Sequence, residues 1–188
     1  MKIKILFLAT VFAFGFFSAN AQAIQKGDKV LNLGIGLGSA LYSGSYYKSS
    51  VPPISASLEA VIKDGFWGGK FALGLGGYLG YSSFKSTYDY GGGTYGWKYS
   101  NIIIGPRGYL HYSFMDKLDT YAGLMIGYWI ATNKEYGTIG SGYSAGSYGG
   151  LITSEFIGAR YFFNDKFAGM AEIGAGISYL NLGVAVKF

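Results

Sequence analysis

Between Leu31 and Phe188, apolar side chains recur at every second position, and few folds accommodate that pattern. They run Leu31, Leu33, Ile35, Leu37; then Ile54, Ala56, Leu58, Ala60, Ile62; then Phe71, Leu73, Leu75, Leu79, Tyr81. The alternation resumes from Ile102 to Tyr112, Leu118 to Ile130, Ile157 to Phe163, Phe167 to Ile177 and Leu182 to Phe188. Small or polar residues fill the intervening positions, Gly most often. A two-residue period is the repeat of a β-strand, whose successive side chains point to opposite faces. After the first twenty residues no apolar run reaches the length of a spanning helix, and no segment carries a helical stripe. The chain is therefore expected to be all-β, with eight strands, each near the ~9–11 residues that cross a bilayer at a tilt.

Which face turns outward follows from composition. Only 13% of the 188 residues are charged, 19% are aromatic and 32 are Gly. Mean hydropathy is +0.25. A soluble sandwich would need many more charges to clothe its exterior, and no amphipathic helix is present to cover an apolar sheet face. Turning the apolar stripes toward lipid removes both difficulties. Backbone groups in hydrocarbon must then be satisfied within the sheet, so the sheet has to close on itself. The expected fold is an eight-stranded antiparallel up-and-down transmembrane β-barrel. Eight strands enclose a lumen just wide enough for side chains to fill, and its glycines leave space for Tyr78, Tyr109, Met125 and Trp129.

The first twenty-one residues read as an address. Lys2 and Lys4 precede the apolar run Ile5–Phe17, and Ser18-Ala19-Asn20-Ala21 follows. A positive start, a short apolar stretch and an A-x-A site form a secretory signal peptide. Residues 1–21 are thus assigned to the signal and 22–188 to the barrel. Ala21-Gln22-Ala23 offers a second cleavage register, after Ala23. Removing Lys2 and Lys4 lowers the formal charge from +5 to +3, too small and scattered a surplus for nucleic-acid binding. The chain has no Cys and one His, which leaves no thiolate chemistry and argues against a His-based metal site. No cofactor is expected.

The connections alternate in length as outer-membrane barrels require, with short periplasmic turns and long external loops. Long ones are expected at Ser43–Pro53, Ser83–Trp97 and Thr132–Gly149. Short ones are expected at Asp64–Gly69, Ser113–Lys117 and Asn164–Lys166, with a tight final connection near Tyr179–Asn181. Both termini then lie on the periplasmic side. Phe66, Trp67, Tyr112, Phe114, Tyr161 to Phe163, Phe167 and Phe188 collect near the predicted inner boundary, as an aromatic girdle does.

The last strand, Leu182-Gly183-Val184-Ala185-Val186-Lys187-Phe188, resembles the C-terminal signal of bacterial outer-membrane proteins. Leu73-Gly74-Leu75-Gly76-Gly77-Tyr78, Ile104-Gly105-Pro106-Arg107-Gly108-Tyr109-Leu110-His111 and Ile157-Gly158-Ala159-Arg160-Tyr161-Phe162 resemble the "outer membrane protein beta-barrel domain" family. The last two share I-G-x-R, each on a descending strand before an Asp-Lys turn. This resemblance implies a small barrel of the OmpX/OmpA type in the bacterial outer membrane, without a periplasmic domain. It implies outer-membrane lipid and lipopolysaccharide as surroundings, delivery to the barrel-assembly machinery through the strand ending at Phe188, and a monomer. It implies no particular activity.

By strand phase Glu59, Arg107, Arg160 and Glu172 point into the lumen at similar depth, with His111, Asp119 and Lys187 nearer the rim. Two guanidiniums and two carboxylates in a narrow interior are expected to pair, because an isolated buried charge costs several kcal/mol. Such a network is expected to plug the barrel and fix its register; the same residues would otherwise form the selectivity ring of a narrow pore. A lipid-modifying activity, as some eight-stranded barrels carry, would rest on His111 with Ser113 and Asp119. Those lie at the periplasmic end, away from an outer-leaflet substrate. The G-x-G-x-x-G at Gly91–Gly96 follows no buried strand and opens no helix, so it is assigned to a loop.

The external loops carry Tyr88, Tyr90, Tyr95 and Trp97 in the second and Tyr136, Tyr143 and Tyr148 in the third. Tyr on a Gly/Ser backbone is the composition of binding loops, and equally of rings resting in the headgroup layer. A structural or surface-interaction role is therefore expected. Two residues fit poorly. Pro106 breaks a ladder bond and predicts a bulge or kink. Glu155 falls on the lipid phase unless it stands above the apolar band or a bulge inverts the phase above Phe156.

Overall fold

The computed structural model describes residues 23–38, 48–138 and 144–188; the assigned signal peptide and Tyr143 lie outside them. Eight strands follow one another: β1 (Lys29–Leu37), β2 (Lys48–Phe66), β3 (Phe71–Tyr90), β4 (Gly93–Met115), β5 (Leu118–Gly137), β6 (Ser144–Phe162), β7 (Phe167–Gly174) and β8 (Leu180–Lys187). Each pairs antiparallel with its neighbours in sequence, and β1 pairs with β8, so the sheet closes into a barrel. The expected eight-stranded up-and-down architecture is the one observed.

The pleat faces the expected way. Leu33, Leu75, Ile126 and Val184 stand exposed on the outside, while Tyr78, Tyr109, Met125 and Phe156 are buried within. An apolar exterior around a polar, packed interior is the arrangement of a transmembrane barrel. Phe66, Trp67, Phe71, Tyr112 and Phe114 form a chain of edge-on ring contacts round the inner boundary. Phe162 departs from the expected girdle, for it points inward and is buried.

The strands are far from equal, contrary to the uniform length the alternation predicts. β2 to β6 run 19–23 residues, whereas β1, β7 and β8 have eight or nine. Beyond the rim of the short strands, β2 to β6 continue upward as an open sheet. Most of the stretch expected as the loop Ser83–Trp97 is strand. β3 and β4 pair as far as Tyr90 and Gly93, joined by Gly91 and Gly92 with φ of 58° and 85°. Two successive positive φ values make the type I′ hairpin turn, which Gly adopts without a Cβ clash. The G-x-G-x-x-G is therefore a hairpin tip leading into a strand. Its apolar alternation fades because side chains above hydrocarbon have no lipid to meet.

Three local expectations meet different outcomes. Pro106 causes no bulge: β3 pairs through Gly77 and Pro106 without a shift. On the β5 side the pairs at Gly105 and Pro106 are missing, with the same register either side of the gap. Glu155 keeps the outward phase without inversion and is exposed one residue above the last β6–β7 pair, Phe156 with Gly174. The seventh strand stops at Gly174, short of Ile177, and the last connection is residues 175–179. Ile177, expected to face lipid, is 0% exposed and packs inside against Tyr78. Freed from the ladder, this segment turns its one large apolar side chain into the barrel.

Candidate functional site

The inner half of the lumen is built from side chains that five strands bring to one level. Arg160 on β6 stands directly opposite Asp119 on β5, and its guanidinium reaches Asp119 Oδ2 at 3.0 Å and Glu59 Oε2 on β2 at 2.6 Å. His111 on β4 completes a circuit. Its Nδ1 lies 3.0 Å from Asp119 Oδ1 and its Nε2 lies 2.9 Å from Glu59 Oε1. The second contact is a close charge approach off hydrogen-bond geometry, since both atoms lack a hydrogen-bond partner. Each of these four groups thus touches two of opposite sign. With a carboxylate oxygen beside each nitrogen, the imidazole is best held as the doubly protonated cation.

A second pair sits alongside. Arg107 Nη1 donates to both carboxylate oxygens of Glu172, at 2.9 and 3.1 Å. The Arg107 guanidinium lies between the rings of Tyr78 and Phe156, 3.9 and 4.2 Å from their centroids. Tyr121 joins the two groups. Its hydroxyl donates to Glu172 Oε2 at 3.1 Å, and Arg160 lies 4.3 Å above its ring. A Cβ on Gly158 would meet that ring at 2.3 Å, so only glycine leaves room for Tyr121 at that point. Three carboxylates and three cationic groups then sum to zero, so within these two clusters every buried charge has a partner of opposite sign.

The four residues expected to gather, Glu59, Arg107, Arg160 and Glu172, are all buried in the lumen, but in two clusters instead of one ring. His111 and Asp119, expected nearer the rim, belong to the circuit. Their proximity was countable in principle, because a hairpin centred on Asp116-Lys117 pairs Ser113 with Asp119 and His111 with Tyr121. Lys187 does lie at the inner mouth, where its Nζ donates to Ala23 O at 2.9 Å and stands 3.7 Å from Asp28 Oδ2. Both nitrogens of His111 face carboxylates, so the ring offers none to Ser113 as a base. Among the described residues no group of three or more His, Asp or Glu side chains has the arrangement of a metal site.

Apolar side chains pack at each end of the lumen. At the inner mouth Ala23 and Ile24 (1% exposed) pack with Val30, Val61, Phe162 and Ala185. Backbone bonds from Gly27 N to Val61 O and from Val61 N to Asp28 O anchor this segment. At the outer end Ile177 covers Tyr78, and the Ser178 hydroxyl lies 2.8–3.0 Å from the carbonyls of Leu37, Gly38 and Leu180.

The aromatic residues expected in loops lie on the protruding strands. Tyr88, Tyr90, Tyr95 and Trp97 belong to β3 and β4, Tyr136 to β5 and Tyr148 to β6. Several are already engaged: Trp97 Nε1 donates to Tyr95 Oη at 3.0 Å, Tyr136 bonds the Thr87 hydroxyl, and Tyr148 packs edge-on against Trp129. Tyr88 is exposed.

The fold is a closed β-barrel with a lipid-compatible exterior, the architecture of small outer-membrane proteins. No protein-family model matches the chain, and no curated protein matches it either. Among solved structures it is similar to Ail, the attachment invasion locus protein of Yersinia pestis, at 12% identity over 87% of this chain and 100% of that one, with a TM-score of 0.45. The N-terminal β-barrel domain of Pseudomonas aeruginosa OprF is 15% identical over 87% and 98%, with a TM-score of 0.47. OprG from the same organism is 10% identical over 91% and 99%, with a TM-score of 0.42.

Proposed function

We propose that this protein is a plugged barrel of the bacterial outer membrane that holds a rigid sheet out from the cell surface for contact with other molecules. The observation that carries the plug is a lumen occupied at three levels: Ile24 at the inner mouth, the charge circuit above it and Ile177 at the outer end. A barrel of eight strands has no spare width beside such fillers. Single-channel recording of the full chain in planar bilayers tests this, with no sustained conductance expected. A steady open level would instead make Glu59, Arg107, Arg160 and Glu172 the lining of a narrow pore.

The contact role rests on the protruding sheet and its two unlike edges. The β2 edge carries Lys48, Pro52 and Pro53 with two register shifts, devices that discourage strand pairing. From Ser144 to Ser154, β6 has neither Pro nor charge, and it has no strand beside it on the β7 side among the described residues. An edge of this kind fits an extended segment of another protein adding as a further strand. The Tyr side chains beside it supply contact area at small entropic cost.

Secretion by a signal peptide, residues 1–21, and assembly through the strand ending at Phe188 complete the reading. Burial of Ala23, with its carbonyl bound by Lys187, favours cleavage after Ala21. A cut after Ala23 would remove that acceptor and leave an α-ammonium beside the Lys187 ammonium. Intact mass of the mature protein is expected to begin at Gln22, and a chain beginning at Ile24 would exclude this register.

A further inference from the structure

Outside the lumen, four lysines stand side by side with no ion-pair partner among the described residues. Lys48 pairs with Lys85, Lys85 with Lys98, and Lys98 with Lys134, each as direct cross-strand partners. Four ammoniums on four adjacent strands therefore stand in one row on one face of the protruding sheet. With strands about 4.8 Å apart the row spans roughly 14 Å. The remaining Lys of the described chain lie toward the inner end, and both Arg are in the lumen, so every cation of the outer half is in this row.

Like charges directly opposite one another weaken a sheet. None of the four lies within ion-pair distance of a carboxylate among the described residues. Residues 39–47 and 139–143 contain no acid in sequence. Glu135 is buried, Asp89 pairs with Thr94 beside the hairpin tip, and Glu155 lies lower on β6. Lys85 Nζ lies over the Tyr136 ring, 5.3 Å from its centroid.

The height of the row identifies what would neutralise it. Two rungs below, on the same outward face, lie Tyr81, Ile102 and Ile130, with the Ser83, Ser100, Thr132 row between. Tyr81 and the two Ile close the apolar band. Four residues further up a strand tilted by about 40° is a rise of roughly 10 Å, into the headgroup layer beside the barrel. We propose that Lys48, Lys85, Lys98 and Lys134 form a binding row for the phosphate groups of an outer-leaflet glycolipid. This rests on the outer-membrane reading above, which fixes the direction the row faces.

The test uses the full mature chain folded into phosphatidylcholine vesicles with or without diphosphoryl lipid A. Insertion is checked first by heat-modifiable gel mobility in the neutral vesicles. Failure there would remove the membrane reading itself, separately from the row. In inserted protein, wild type is expected to retain diphosphoryl lipid A at least roughly tenfold better than the variant carrying Lys48→Gln, Lys85→Gln, Lys98→Gln and Lys134→Gln together. A variant with Lys70→Gln, Lys117→Gln and Lys166→Gln, at the inner turns, should bind within about twofold of wild type. Dephosphorylated lipid A should lose the preference, and free inorganic phosphate should not compete at matched phosphate concentration. Effective competition by free phosphate would make the row a general anion site and overturn the glycolipid assignment. The order of thermal transitions should also cross over, the quadruple variant melting above wild type in neutral vesicles and below it with diphosphoryl lipid A. Equal retention of the phosphorylated and dephosphorylated lipids by wild type overturns the proposal, with no variant needed. So does equal retention by wild type and the quadruple variant.

Discussion

The inner half of the lumen and the outer face of the protruding sheet treat charge in opposite ways. Inside, Arg160 meets Asp119 and Glu59 while Arg107 meets Glu172, and His111 closes the balance. Outside, four lysines line up with no acid among them. The difference is one of solvent. A charge buried in a narrow lumen is costly unless the chain itself supplies a partner. A charge in the headgroup layer is answered by what lies beside the protein, so the sequence is free to leave it unpaired.

The comparison is broken most severely by deleting the cation that serves two carboxylates. Arg160→Ala leaves Glu59 and Asp119 facing each other across His111 and is expected to lower stability by about 3–5 kcal/mol. Arg107→Ala should fall short of that, since Glu172 keeps the Tyr121 hydroxyl. Heat-modifiable mobility across a temperature series reads both, and transitions equal to wild type in both variants would remove the circuit from any account of stability. Next in size is Ile177→Ala, expected to lose about 2–4 kcal/mol as the outer filler shrinks. An unchanged transition would mean that the segment does not hold the lumen shut. The smallest effect is expected outside. Lys98→Gln alone in neutral vesicles should shift stability by less than about 0.5 kcal/mol, and upward, because it relieves two like-charge neighbours. A loss of a full kcal/mol would show that the row is compensated within the protein after all.

Much of this molecule was legible one residue at a time. Period two assigned Leu33, Leu75, Ile126 and Val184 to the lipid face and Glu59, Arg107, Arg160 and Glu172 to the interior, because a strand alternates faces whatever it pairs with. Legibility failed where alternation is not the controlling force. Tyr88 and Trp97 read as loop residues because strands above the membrane alternate Tyr, Ser, Thr and Gly, with no apolar beat. Ile177 reads as lipid-facing only if the rhythm extends past Gly174, where the ladder ends.

Sequence alone therefore determined the closed sheet, the number of its strands and the inward or outward sense of nearly every side chain, since these follow from local geometry and the absence of water in hydrocarbon. Register belonged to the tertiary structure. Only the alignment of each strand with its neighbours set Asp119 opposite Arg160, bent His111 between two carboxylates and drew Lys48, Lys85, Lys98 and Lys134 into one row. A residue's phase is fixed by its own backbone, but its partners are fixed by strands whose relative slide no single strand encodes.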